Sequence, residues 1–242
     1  MADLPITFSG PMVKALLREI EQPGTGKTQT RRVITPQPKL SPHHEPARVE
    51  HRGGKRWVWM VHTDRPSYQF GTGDWNSRYV PGDRLYVREH WRVEAQLDRM
   101  APRDMTPDAV GYIADEPPGY ILRTGRFRQA MHMPKWASRI TLLVTDVRVE
   151  RLQDCSEADA IAEGIDRKPY GNWKCYCDTP SPWGGAAPTV LAHGIGRVSA
   201  DPLHSYASLW DSINGEGAWD ANPWVVAYSF KPFLGHIDQV AA

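Results

Sequence analysis

Of the 242 residues, 21 are proline and 20 are glycine, and most of them fall in three stretches, about 35–82, 92–135 and 166–200. Proline removes a backbone donor and glycine costs conformational entropy, so these stretches predict loops and turns rather than long regular elements. The remaining segments carry clear patterns. Together they predict an α+β chain: a small barrel with two or three flanking helices, one domain spanning 1–242, and the three stretches as insertions.

The patterned segments are few. Ser9-Gly10-Pro11 can start a helix, with Ser9 as cap, and Met12, Val13, Leu16, Leu17 and Ile20 then recur at helical spacing. Gln22 to Gly26 ends it and leads into a short strand from Lys27 to Ile34. Pro81-Gly82-Asp83 is a turn signal before an alternating strand from Arg84 to Glu89, and the clearest strand runs from Ile140 to Val149. Ser156-Glu157-Ala158-Asp159 reads as a capping box opening a short helix that Gly164 closes. Asp201-Pro202 starts a last helix with Leu203, Tyr206, Leu209, Trp210 and Ile213 on one side, and Trp224 to Phe230 is a closing strand. Within the first insertion, Trp57 to Val61 suggests a hairpin.

Charge and length exclude several classes of function. Lys+Arg total 29 against 28 Asp+Glu, a net charge of +1, so no overall field attracts a polyanion. No apolar run approaches the roughly 18 residues of a membrane span, which together with three cysteines that cannot all pair implies a reducing, cytoplasmic address. Cys175 and Cys177, with His193 or His204, hint at zinc, but no second pair stands at a zinc-site spacing, and neither metal nor cofactor is expected.

Gly24-Thr25-Gly26-Lys27-Thr28 mimics the end of a phosphate-binding loop, yet Glu21 stands where that loop needs its first glycine, which argues against nucleotide triphosphate binding. The spacing Lys27-x-x-Thr30-x-Arg32 is more informative. On an extended strand residues 30 and 32 share a face, and a lysine at the preceding turn can reach back toward a threonine hydroxyl. Such an amine serves as a base when burial or nearby charge lowers its pKa. The plainer reading is a basic strand edge in solvent.

Gly26 to Arg32, Gly82 to Val87, Ile140 to Val149, Ser156 to Gly164 and Trp224 to Lys231, in that order, resemble the blocks of ASCH-domain proteins, relatives of the PUA-like barrels. More narrowly, the Lys-Thr-x-Thr-x-Arg turn and the closing aromatic strand are similar to those of compact bacterial N4-acetylcytidine amidohydrolases. Trp210 to Asn214 and Trp219 to Trp224 are similar to segments of phage and prophage ASCH proteins. The resemblance covers about half of the chain and implies catalytic Lys27, Thr30 and Glu163. It also implies a modified nucleoside as substrate.

Amide hydrolysis at a cytosine amino group needs an attacking oxygen, a base, and a proton for the leaving nitrogen. Thr30 is expected to supply or orient the oxygen, Lys27 to take its proton, and Glu163 to hold the amine. Arg32, Glu89, His90 and Trp91 are the expected substrate contacts. Trp57, Trp59, Trp75, Trp136 and Trp183 lie in or beside the insertions, where one or two could stack on a base or a bulky acyl group. The rival expectation is an RNA-binding or RNA-processing module, because the first 60 residues carry ten Lys/Arg against five Asp/Glu.

Overall fold

The computed structural model describes residues 2–35, 37, 44–52, 55–62, 65–72, 77–117, 119, 121, 123–168, 171–176, 189–191 and 196–240; within 44–72, 189–191 and at 196 the backbone alone is described. Strand β1 is Asp3–Thr7, helix α1 Gly10–Glu21 and β2 Gln29–Val33. Next come β3 (His44–Arg52), β4 (Lys55–His62), β5 (Arg65–Thr72), β6 (Arg84–Arg88), β7 (Trp91–Arg92) and β8 (Gly111–Tyr112). Then follow β9 (Ile140–Arg151), α2 (Glu157–Ala162), β10 (Trp173–Lys174), β11 (Thr189–Leu191), β12 (Gly196–Ser199), α3 (Pro202–Asn214) and β13 (Trp224–Leu234). No helix among the described residues is long and apolar enough to cross a membrane.

The main sheet has five strands in the order β1-β6-β9-β13-β2. β1 runs parallel to β6 with Leu4 opposite Leu85, β6 runs antiparallel to β9 with Leu85 opposite Leu142, and β2 runs antiparallel to β13 with Thr30 opposite Tyr228. The mixed α+β class is as expected, but the small barrel is not found: among the described residues none of the sheets closes on itself. Closure requires the two end strands to ladder together. Here the ends are β1 and β2, each five residues long. Pro5 of β1 has no N–H to offer a further strand, which suits an edge.

The chain gathers into two compact units. The first comprises Met1–Thr25, Pro81–Thr145 and Phe230–Ala242. Its core includes Ile6, Val13, Leu16, Leu85, Val87, Ile140 and Leu142, all buried. Of the expected stripe on α1, Met12, Val13 and Leu16 are buried, joined by Ala15, while Leu17 and Ile20 are half-buried. Ser9 is the N-cap by position but its hydroxyl makes no capping bond; its carbonyl accepts from Val13 N at 3.0 Å. The described residues of the 92–135 stretch include short 3₁₀ turns and the β7–β8 ladder, and Val93, Met105, Val110 and Met133 from it cluster with the flanking Trp91 and Ala137.

The second unit comprises Gly26–Val80 and Asp146–Ser229. It adds two small antiparallel sheets to the β2–β13 ladder, in the orders β3-β4-β5 and β10-β12-β11. The expected hairpin at Trp57 to Val61 is therefore the middle strand of a three-stranded sheet, and the 166–200 stretch holds strands instead of loop alone. Helix α3 also departs from its one-sided pattern. From His204 to Asp211 it is buried all round, while Ile213 at its end is exposed. Small side chains make this possible: Ser205 donates to Lys174 O and Ser208 Oγ accepts from Tyr176 N, so neighbouring backbone packs against the helix through hydroxyls.

Candidate active site

The short helix α2 places one carboxylate. Ser156 Oγ accepts from Asp159 N at 3.1 Å and Asp159 Oδ2 accepts from Ser156 N at 3.2 Å, a reciprocal capping box that fixes the first turn. Gly164, at φ +83°, stops the helix one residue after Glu163, a left-handed position that favours glycine. Glu163 is thereby the C-cap, and its carbonyl and carboxylate both point at one amine. Lys27 Nζ donates to Glu163 O at 2.8 Å and to Glu163 Oε2 at 2.7 Å. Thr28 N donates to Ala162 O at 2.9 Å, pinning the turn that carries Lys27 against the same helix end.

This pair lies inside the second unit, with Lys27 1% exposed and Glu163 4% exposed. Burial lowers the Lys27 pKa from its usual 10.5; Glu163 opposes that, while the charges of Arg32 and Arg31 reinforce it. An amine so placed loses its proton more readily than one in water.

Strand alternation brings further groups to the same carboxylate. Gln29 and Arg31 share a face of β2. Arg31 Nη1 donates to Glu163 Oε1 at 3.1 Å and to Gln29 Oε1 at 2.7 Å, and Gln29 Nε2 donates to Ser229 Oγ at 3.1 Å. The rest of the guanidinium faces Glu150, with Nε 2.9 Å and Nη2 2.7 Å from Oε1, and Asp159 at 3.5 Å. Arg148 pairs with Asp159 from the other side at 2.6 Å. Burial alone would lower the Arg31 pKa, but Glu163 first, then Tyr206, Cys155 and Glu150, raise it well above the ordinary arginine value. Two neutral acids complete the surroundings. Burial pushes the Cys155 thiol up to about 12, and burial together with Glu163 pushes the Tyr206 phenol well above 10.0.

Thr30 is buried on β2, and alternation turns its side chain to the face opposite Gln29 and Arg31. That face is shared with Tyr228, its cross-strand partner. The Tyr228 hydroxyl lies 3.3 Å from both Ser77 Oγ and Arg78 N, and its ring meets Tyr79 edge-on at 5.0 Å. Of the expected catalytic set, the structure joins Lys27 to Glu163 directly, while Thr30, on the adjoining strand, has its side chain turned to the other face.

The expected substrate contacts fall in two places. Arg32 is exposed on β2, in the second unit. Glu89, His90 and Trp91 belong to the first unit. Glu89 is buried against Arg139, at 2.9 and 3.1 Å, and burial raises its pKa while Arg139 opposes the rise. His90 Nδ1 accepts from Ala130 N at 3.1 Å, and its ring lies 4.8 Å from Phe127. Trp91 fills the hydrophobic cluster of its unit with Arg128 stacked 4.8 Å from its ring, and Trp136 packs against the same cluster.

Trp75, Trp183, Cys177 and His193 lie outside the described residues, as do the side chains of Trp57 and Trp59. Among the described residues no three His, Cys, Asp or Glu side chains gather as a metal site would require. Cys175 is buried, its amide donating to Arg197 O at 2.9 Å, and His204 Nδ1 lies 3.2 Å from Ser199 Oγ.

Sequence reasoning missed Arg31, Glu150 and Tyr206. One signal was present for Arg31: counting by twos from Gln29 reaches Arg31, which puts both on one strand face. No family model matches the chain, and neither a curated protein nor a solved structure matches it.

Proposed function

We propose that the second unit hydrolyses the amide of N4-acylcytidines, releasing cytidine and a carboxylic acid, with Lys27, Thr30 and Glu163 as its catalytic residues. The observation that carries this reading is the Lys27 amine: buried, held by both the carbonyl and the carboxylate of Glu163, and lowered in pKa by that burial. A lysine serving only as a surface charge needs none of these features. The ordered blocks similar to the ASCH amidohydrolases, with Thr30 three residues after Lys27, supply the substrate class.

In this reading neutral Lys27 takes a proton from an attacking water that the Thr30 hydroxyl orients, since the Thr30 side chain lies on the face of β2 opposite Arg31. The new C–O bond makes a tetrahedral intermediate. Its collapse breaks the C–N bond, and the proton held by Lys27 passes to the departing cytosine amino nitrogen. Glu163 keeps the amine aimed through its carbonyl and carboxylate.

The test is turnover of N4-acetylcytidine followed by ultraviolet absorbance. The wild-type chain is expected to convert it, and Lys27→Ala, Thr30→Ala and Glu163→Gln are each expected to lose about 100-fold or more while remaining folded by circular dichroism. Full activity in all three variants, or none in the folded wild type, would overturn the reading. Salt-steep RNA binding without deacylation would favour the RNA-binding module instead.

A further inference from the structure

The proposed chemistry leaves one buried cation without an assigned task, Arg31. Its side chain is fully covered and divides its donors among groups from three elements: Glu150 on β9, Asp159 and the C-cap Glu163 of α2, and Gln29 beside it on β2. The Tyr206 ring of α3 lies 5.8 Å from its carbon centre. The two oxygens of Glu163 are thus split between two cations, Oε1 to Arg31 and Oε2 to Lys27.

That division matters for any proton traffic at Lys27. A carboxylate paired with Lys27 alone would become a bare buried anion whenever the amine lost its proton, and such a charge is costly in a low-dielectric interior. The guanidinium stays charged at every relevant pH and stays in place on the other oxygen. We propose that Arg31 is the positioning residue of this site: it holds the Glu163 carboxylate fixed, so that Lys27 can give up and regain a proton without leaving that carboxylate unpaired. The inference rests on the amidohydrolase reading for its purpose, but its geometry and its test do not need turnover.

The charged and titratable groups facing this pair set the expected signs. Lys27 meets Glu163, Arg31 and Arg32; Arg31 meets Glu150, Asp159, Glu163, Tyr206 and Cys155. Removing the Arg31 charge leaves Glu163 to lean on Lys27 alone, which holds the ammonium proton more tightly. Removing the Glu150 charge does the reverse, because Arg31 then bears more strongly on Glu163.

The direct measurement is the pH titration of the Lys27 ¹³Cε resonance in the full chain labelled with ¹³C-lysine, assigned by its absence from Lys27→Arg. The midpoint is expected to move up in Arg31→Gln, to move down in Glu150→Gln, and to stay near wild type in Arg31→Lys. In parallel, the ascending limb of kcat/KM against pH should follow the midpoint, with Arg31→Gln about 10- to 100-fold slower at pH 7. An unmoved midpoint in folded Arg31→Gln, or an upward move in Glu150→Gln, would overturn the proposal. If Arg31→Gln does not fold, Glu150→Gln decides it alone, since its carboxylate sits at the partly exposed side of the cluster. Because the midpoint is read without substrate, an inactive protein with the expected shifts sinks only the amidase reading, and an active one without them sinks only the role of Arg31.

Discussion

Lys27 is the residue on which the site depends, and its proton gives a prediction about stability as well as activity. Its folded pKa is lowered from 10.5, so between the lowered value and 10.5 the unfolded chain binds a proton that the folded chain does not. Stability therefore rises with pH through that window. Cys155, raised from 9.0 to about 12, and Tyr206, raised above 10.0, act the other way, because the folded chain keeps protons that the unfolded chain releases. These two are shared by the wild type and Lys27→Met, so the difference between them isolates the lysine. Urea denaturation from pH 6 to 10.5 is expected to show the wild type gaining on Lys27→Met as pH rises. A flat difference would mean that Lys27 keeps its proton in the fold, and the site would then lack its base. At this scale spacing and resemblance together pointed to Lys27 and Glu163, whose side chains meet, whereas Thr30 lies on the other face of β2. Arg31 was not, because an arginine in an Arg-Arg pair on a short strand reads as surface charge until the acids on β9 and α2 are brought beside it.

Among the elements, α2 carries a disproportionate duty, for its six residues present Glu163 and are too few to form a stable helix in isolation. Its start depends on the capping box, and Asp159 serves that box and the ion pairs with Arg148 and Arg31 at once. Burial tends to raise the Asp159 pKa, but Ser156, Arg148 and Arg31 hold it down to about 2. Ser156→Ala is expected to cost about 1 kcal/mol by denaturant titration, and Asp159→Asn to cost more, since it loses both the cap and the pairs. The folded value lies below the ordinary 3.8, so the charge contribution of Asp159 is present above pH 3.8 and is lost as pH falls through about 2. The gap between wild type and Asp159→Asn should accordingly narrow from pH 4 to pH 2. α2 was readable in advance because its cap signals are local, and β9 and β13 because they alternate. The small sheets were hidden by Gly, Pro and His in β3 to β5 and by strands of two to four residues in β10 to β12. The all-round burial of α3 was hidden because Ser205, Ala207 and Ser208 do not register in an apolar pattern.

For the whole molecule, the question is what the first inserted stretch contributes. Its ladders are internal, β3 with β4 and β4 with β5. Both of its flanks are held on β13: Gln37 donates to Trp224 O at 3.1 Å and accepts from Trp224 N at 2.9 Å, while Ser77 and Arg78 reach the Tyr228 hydroxyl. Trp224 and Tyr228 are four residues apart on one strand, about 13 Å at the usual rise. A linker of about six residues in place of 38–76 spans that distance. Among the described residues the β2–β13 ladder and the Lys27–Glu163–Arg31 ion pairs draw on none of the excised segment, so the shortened chain is expected to fold and to retain turnover of N4-acetylcytidine within about threefold. If the inserted stretch widens the site for larger acyl groups, the N4-benzoyl derivative should be turned over by the full chain and lose more than the acetyl derivative on excision. Equal losses for both substrates would assign the stretch to stability, and a full chain that accepts only the acetyl group would remove the link between insertion and acyl size.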